Sequence, residues 1–194
     1  MHRHPLFSRI AVAGVVATTL LCPPSPAQGA PETPEQVARQ LLGAIRDTNW
    51  VRAASLMHPS ALAQFHDLFR PVLQCDNPAA VQARKEVFGV GSAVEAARMS
   101  DTALMASLLR FGTTREQGVT AMLRTAQLNV IGHVAEGVDT VHVLARISLL
   151  VESMPFSQVE VISFRRYRST WRSMLKADIS AMGTMLRRLC VTEG

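Results

Sequence analysis

Among the side chains able to move a proton or hold a metal, His133 and His142 have the most suggestive spacing. They flank Glu136-Gly137-Val138-Asp139 and lie in two runs that alternate apolar and polar residues, the pattern of a β-hairpin. With a two- or four-residue loop, Val134 faces Val141, His133 faces His142, Ile131 faces Leu144 and Asn129 faces Arg146. Two imidazoles with Cβ atoms about 5 Å apart could share a proton or a metal, or bind an anion once protonated. His133, His142 and Arg146 are therefore the candidate ligand-binding residues. The plainer reading leaves both imidazoles on the less buried sheet face, and a slip of one residue in register dissolves the pair. A zinc site would need a third ligand, which no His-Glu-x-x-His, Cys-x-x-Cys or second histidine pair supplies. No metal, cofactor or catalytic residue is expected.

The remaining candidates are weaker. His66-Asp67 adjoins an apolar helical stripe, so His66 reads as a base facing a pocket or as a rim histidine; His58 precedes it by eight positions. Arg165, Arg166, Arg168, Arg172 and Lys176, with Arg187 and Arg188 beyond, form the one dense basic stretch. With Tyr167 and Trp171 it suits a phosphate or anionic-lipid surface, but such charges more commonly guard a strand edge. Gly89-Val90-Gly91 lacks the strand and helix of a dinucleotide loop, and no serine has the Gly-x-Ser-x-Gly setting. The methionines at helical spacing read as core filler.

The N-terminus carries the compartment. His2, Arg3, His4 and Arg9 precede an apolar run from Ile10 to Leu21. That run is about 12 residues, the length of a signal-peptide core and short of the roughly 20 needed to span a bilayer. Ser25-x-Ala27 suits cleavage, so residues 1–27 read as a signal peptide, 28–34 as a flexible start, and 28–194 as one domain, periplasmic or extracellular. An uncleaved anchor or buried helix is the alternative. Lipidation at Cys22 is disfavoured by the bulky Leu21. Removal of Arg3 and Arg9 leaves 18 basic against 15 acidic residues, +3 rather than +5, so charge says little about partners, and an exported chain is not expected to meet nucleic acid. No second long apolar run suggests a membrane span in the mature chain. Cys75 and Cys190 remain, an even pair that can close a disulfide in an oxidising compartment.

The elements that must position these residues divide the chain in two. Thr33-Pro34-Glu35-Gln36 is a capping box opening a helix with Val37, Leu41, Ala44 and Ile45 on one stripe, ending near Asp47. Asn49 opens a second helix, Trp50 to Met57; Leu62 to Leu73 forms a third stripe, kinked or ended near Pro71. Asp76-Asn77-Pro78 signals a turn, a short helix follows near Val81–Val87, and Ser100 caps a helix closed by Gly112. From about Leu123 the period becomes two: strands near Leu128–Val134 and Val141–Val151, a turn at Ser153-Met154-Pro155, then Val159–Tyr167 and Trp171–Leu175. Within the third strand, Val159 and Val161 share one face and Ile162 and Phe164 the other, which predicts a bulge or coverage on both sides. Asp178 begins a last helix carrying Ile179, Met182, Leu186 and Leu189. The fold class is α+β: N-terminal helices on a curved antiparallel meander of about four strands, with a C-terminal helix.

In that order of elements, the Gln36–Ile45 helix with Trp50–Met57 behind it, and the strand pair Val159–Tyr167 and Trp171–Leu175, the chain resembles an exported bacterial member of the nuclear transport factor two-like (cystatin-like α+β cone) superfamily. The added helices of 76–112 depart from that pattern. The resemblance implies a sheet curved around helices with a pocket between them, used for catalysis in some members and for binding or dimerisation in many. The isomerase-type chemistry of the family does not carry over, because the only tyrosine, Tyr167, is crowded by arginines and no aspartate has an apolar strand setting. The expectation is a non-catalytic binding or interaction module for a small molecule or an envelope protein. The alternatives are a small-molecule enzyme using His133, His142 and Arg146, and a homodimer built through the sheet face.

Overall fold

Thr33 accepts the Gln36 N–H while the Gln36 side chain takes the Thr33 N–H, and with Pro34 in the first turn this starts α1, Pro34–Arg46. This computed structural model describes residues 32–115, 118–176, 179 and 190. Asn49 caps α2 (Trp50–Ser55) and His58 caps α3 (Pro59–Gln74). Although Pro71 removes an interior N–H, α3 runs one turn past it. The carbonyls of Val72, Leu73 and Cys75 there accept hydrogen bonds from the Arg84 guanidinium, which holds that last turn from outside the helix.

Asn77 caps α4 (Pro78–Phe88), so the predicted turn is a helix start, and Gly89 closes it at φ +74°, a left-handed conformation that glycine adopts without strain. A Ser92–Glu95 capping box nucleates the single turn of α5 (Ala93–Ala96). The next helix, α6 (Asp101–Thr114), is capped by Ser100 and continues beyond Gly112. The hydroxyls of Thr113 and Thr114 donate back to the carbonyls of Leu109 and Arg110, closing the end that glycine was expected to close. A further short helix, α7 (Val119–Arg124), occupies the point at which strand rhythm was expected to begin.

The sheet is a meander of β1 (Gln127–Glu136), β2 (Thr140–Val151), β3 (Met154–Tyr167) and β4 (Thr170–Ser173), antiparallel throughout. The α+β class and the four-strand meander are as the sequence predicts. β3 begins earlier than expected, because Glu152 and Ser153 both take positive φ, 49° and 70°, and make a two-residue turn without glycine. The β2–β3 register runs without a break from Thr140↔Arg165 to Val151↔Met154, so the predicted bulge in the third strand is absent. Ile162 and Phe164 face the helices, while Val159 and Val161 are 48% and 55% exposed on the other side.

Two cores result. Val37, Ala38 and Leu56 pack on Val143, Ala145, Phe164 and Trp171 of the sheet. Phe65, Phe69, Phe88 and Leu104 knit α3, α4 and α6 together, with Phe69 meeting Phe88 edge-on at 5.9 Å. The chain between α2 and α3 protects the open edge of β4: His58 N–H donates to Ser173 O (2.8 Å), and Ser173 N–H to Leu56 O (2.9 Å). No helix among the described residues is long and apolar enough to cross a membrane. The predicted signal peptide and the body of the last helix, with Arg187 and Arg188, lie outside the described residues.

Candidate functional site

The first hairpin tests the histidine pairing directly. Its register holds from Gln127↔Ser148 through Asn129↔Arg146 to Val130↔Ala145, then slips by one at a bulge around Ile131. Beyond the bulge His133 lies opposite Val143 and Val134 opposite His142. The two imidazoles therefore point to opposite faces, because one extra residue in β1 inverts the parity of everything after it. The expected His133–His142 pair is corrected to two separate contacts.

His133 turns toward the helices, where its Nδ1 meets the Glu35 carboxylate in the first turn of α1. Burial pushes the Glu35 carboxyl up, but its own backbone N–H, the Thr33 hydroxyl and His133 outweigh that and hold it below 4.5. His142 turns outward between Ser163 Oγ (2.9 Å from Nδ1) and Glu136 Oε2 (2.7 Å from Nε2). That Ser–His–Glu row has the partner types of a nucleophile, a base and an orienting acid. It lies on the outward sheet face, interleaved with exposed Val134, Val159 and Val161. A tetrahedral oxyanion also needs aimed donors, and strand N–H groups here are committed to the ladder. Arg146 stands on the same outward face, opposite Asn129 and Val159.

The other candidates are structural. His66 Nδ1 contacts Asp101 Oδ1 at 2.7 Å, joining α3 to the first turn of α6. His58 accepts the Ser60 N–H through Nδ1 (3.1 Å) as the α3 cap and meets Tyr167 edge-on at 5.6 Å. Within the basic stretch Arg165 lies opposite Arg172 across β3 and β4, while Arg166 lies over Trp171 at 4.5 Å, Arg168 over Tyr167 at 5.3 Å, and Arg172 donates to Ser55 O. No three of His, Cys, Asp and Glu gather into a metal-sized group among the described residues. Cys75 and Cys190 are free cysteines, and the Cys75 backbone N–H and the Cys190 thiol both donate to the Pro71 carbonyl.

The space that can take a ligand lies instead between α1, α6 and the inner sheet face. A cavity of about 170 Å³ is walled by Leu41 and Ile45 of α1, Met105 and Leu109 of α6, and Leu128 and Ile147 of the sheet. It persists because Ala38 and Ala53, both buried, stand where a larger side chain would fill it. Met57, Met105 and Met174 also line it, so part of the expected core filler forms adaptable wall. At its mouth Lys176 Nζ bonds Glu160 Oε2 (3.0 Å), and Gln158 Nε2 bonds Glu160 Oε1 (2.7 Å). Ser173, the other polar lining residue, is turned to the Leu56 carbonyl.

No known family model, curated protein or solved structure matches this chain. The cavity must therefore be read from its own walls, which offer apolar contact and one ion pair. Sequence reasoning passed over Glu160, although a signal was present: it precedes Ile162 and Phe164 at the same parity, a charge on the inner face of β3. Ala38 and Ala53 gave no comparable signal, since alanine is at home on any helix face.

Proposed function

We propose that this chain is a non-catalytic binding module, exported to the periplasm or beyond, whose inner cavity takes a small apolar molecule. The observation that carries this reading is the cavity itself, dry-walled and held open by Ala38 and Ala53. Its apolar walls and volume of about 170 Å³ are on the scale that accepts one benzene-sized guest, which sets the ligand class here: a single ring or a short branched chain. A polar substituent on that guest would meet Glu160 and Lys176 at the mouth. Export rests on the basic start, apolar run and cleavage signal of residues 1–27. Kinship with the nuclear transport factor two-like superfamily is part of the same proposal, supported by α1 lying across a four-strand meander.

Ligand-observed NMR with benzene and toluene tests the reading, beside the Ala38→Leu variant. The wild type should bind in the millimolar to tens-of-micromolar range, about −4 to −6 kcal/mol. Filling the cavity in Ala38→Leu should cut binding at least tenfold and stabilise the empty protein by about 0.5–2 kcal/mol. No binding by a folded wild type, or equal binding by the variant, rejects the pocket. Intact mass of the secreted form should lack residues 1–27.

A further inference from the structure

The end of α3 gathers three groups that the binding reading does not use. Cys75 caps the helix, and its N–H donates to Pro71 O at 2.8 Å. The Cys190 thiol donates to the same oxygen at 3.4 Å, so Cys190 is brought to that helix terminus. Beneath them Arg84 is wholly buried, its guanidinium held by Cys75 O (2.7 Å), Leu73 O (3.1 Å) and Asp76 Oδ1 (3.1 Å). The guanidinium so held fixes the carbonyl end of α3, on which the Cys75 N–H and the Cys190 thiol converge.

We propose that Cys75 and Cys190 form a dithiol redox site, closed to a disulfide by exchange with a low-molecular-weight disulfide, with Arg84 as the positioning cation. One thiolate attacks a sulfur of the small disulfide RSSR, forming a protein–SR mixed disulfide and releasing one RS⁻. The second protein thiol loses its proton and attacks the protein sulfur of that intermediate, releasing the other RS⁻. The protein sulfurs lose two electrons to RSSR, and the two protons end on two RSH. Burial and the neighbouring Cys75 push the Cys190 thiol up to about 11 against the pull of Arg84. Exchange that depends on this thiol should therefore be slow near neutrality and climb steadily with pH.

The experiment uses the full chain carrying Cys22→Ser, reduced, desalted and exposed to oxidised glutathione. The expected product has lost the mass of two hydrogens, keeps no glutathione, and yields a linked Cys75–Cys190 peptide on non-reducing digestion. Its rate should rise with pH between 8 and 10, as the thiolate fraction does. The closed form should melt about 5–10 °C above the reduced form. Cys75→Ser and Cys190→Ser should each retain one glutathione, lacking the second thiol. The double variant should melt with the reduced protein, which shows that any gain comes from the bond. A folded wild type that ends as glutathione adducts, stays unreacted at pH 10, or links without a rise in melting temperature overturns the proposal.

Discussion

The two faces of the sheet carry comparable aliphatic side chains and meet different fates. Val143, Ile162 and Phe164 on the inner face pack beneath α1, or border the cavity there. Val134, Val159 and Val161 on the outer face remain largely exposed, interleaved with His142, Arg146 and Ser163. Alternation along a strand is a local property, whereas coverage is decided by elements far away in the chain. The comparison teaches that the reactive-looking row, Ser163–His142–Glu136, occupies the face whose aliphatic side chains stay exposed. The chemically quieter face holds the space.

The largest effect should come from exchanging equivalent truncations between the faces. Phe164→Ala should lose about 3–5 kcal/mol in urea unfolding, while Val161→Ala should stay within about 0.5 kcal/mol. Similar losses at both positions would break the distinction and show the outer face to be covered. A polar group buried away from the sheet should come next. Arg84→Met leaves the carbonyls ending α3 without their donor and should cost about 2–3 kcal/mol in the same assay.

Smaller again is a pH effect at the β4 edge. Burial and Arg165 hold the His58 imidazole below 6.5, against the Arg166 backbone and Asp139. A lowered folded value means that its contribution is complete above about pH 6.5 and is lost as pH falls through the folded value. Protonation also removes the lone pair that accepts the Ser60 N–H. Melting temperature should therefore fall on acidification from pH 6.5, and His58→Asn, which keeps a capping acceptor, should flatten that limb. Glu35 shares the sign but acts lower, below about pH 4.5, so Glu35→Gln should alter only the more acidic limb. Least of all, His142→Ala on the outer face should change unfolding free energy by no more than about 0.5 kcal/mol, because its partner Glu136 is exposed to solvent. A loss several times larger would mark the outer row as enclosed, and with it revive the enzyme alternative.

Much of the architecture was legible because caps and rhythm are written in neighbouring residues. The Thr33–Gln36 box, the Asn49 cap and the Ser100 cap each start the helix they predict. The misses share a cause in interactions that reach across the chain or replace a standard signal. α3 survives Pro71 with help from Arg84 on a later helix. The Glu152–Ser153 turn takes positive φ without the asparagine or glycine that usually announces it. For the site, Asn129 does face Arg146, yet four positions later the bulge at Ile131 has separated His133 from His142.

By itself the sequence determined the order of helices and strands and the strand that carries Trp171. These follow from periodicity, and periodicity depends only on nearby residues. Tertiary structure alone decided which sheet face would be roofed, where the ladder would slip, that Ala38 and Ala53 would leave a void, and that Cys190 would arrive at the end of α3. Each of these depends on segments distant in the chain meeting in space, which no local pattern of side chains encodes.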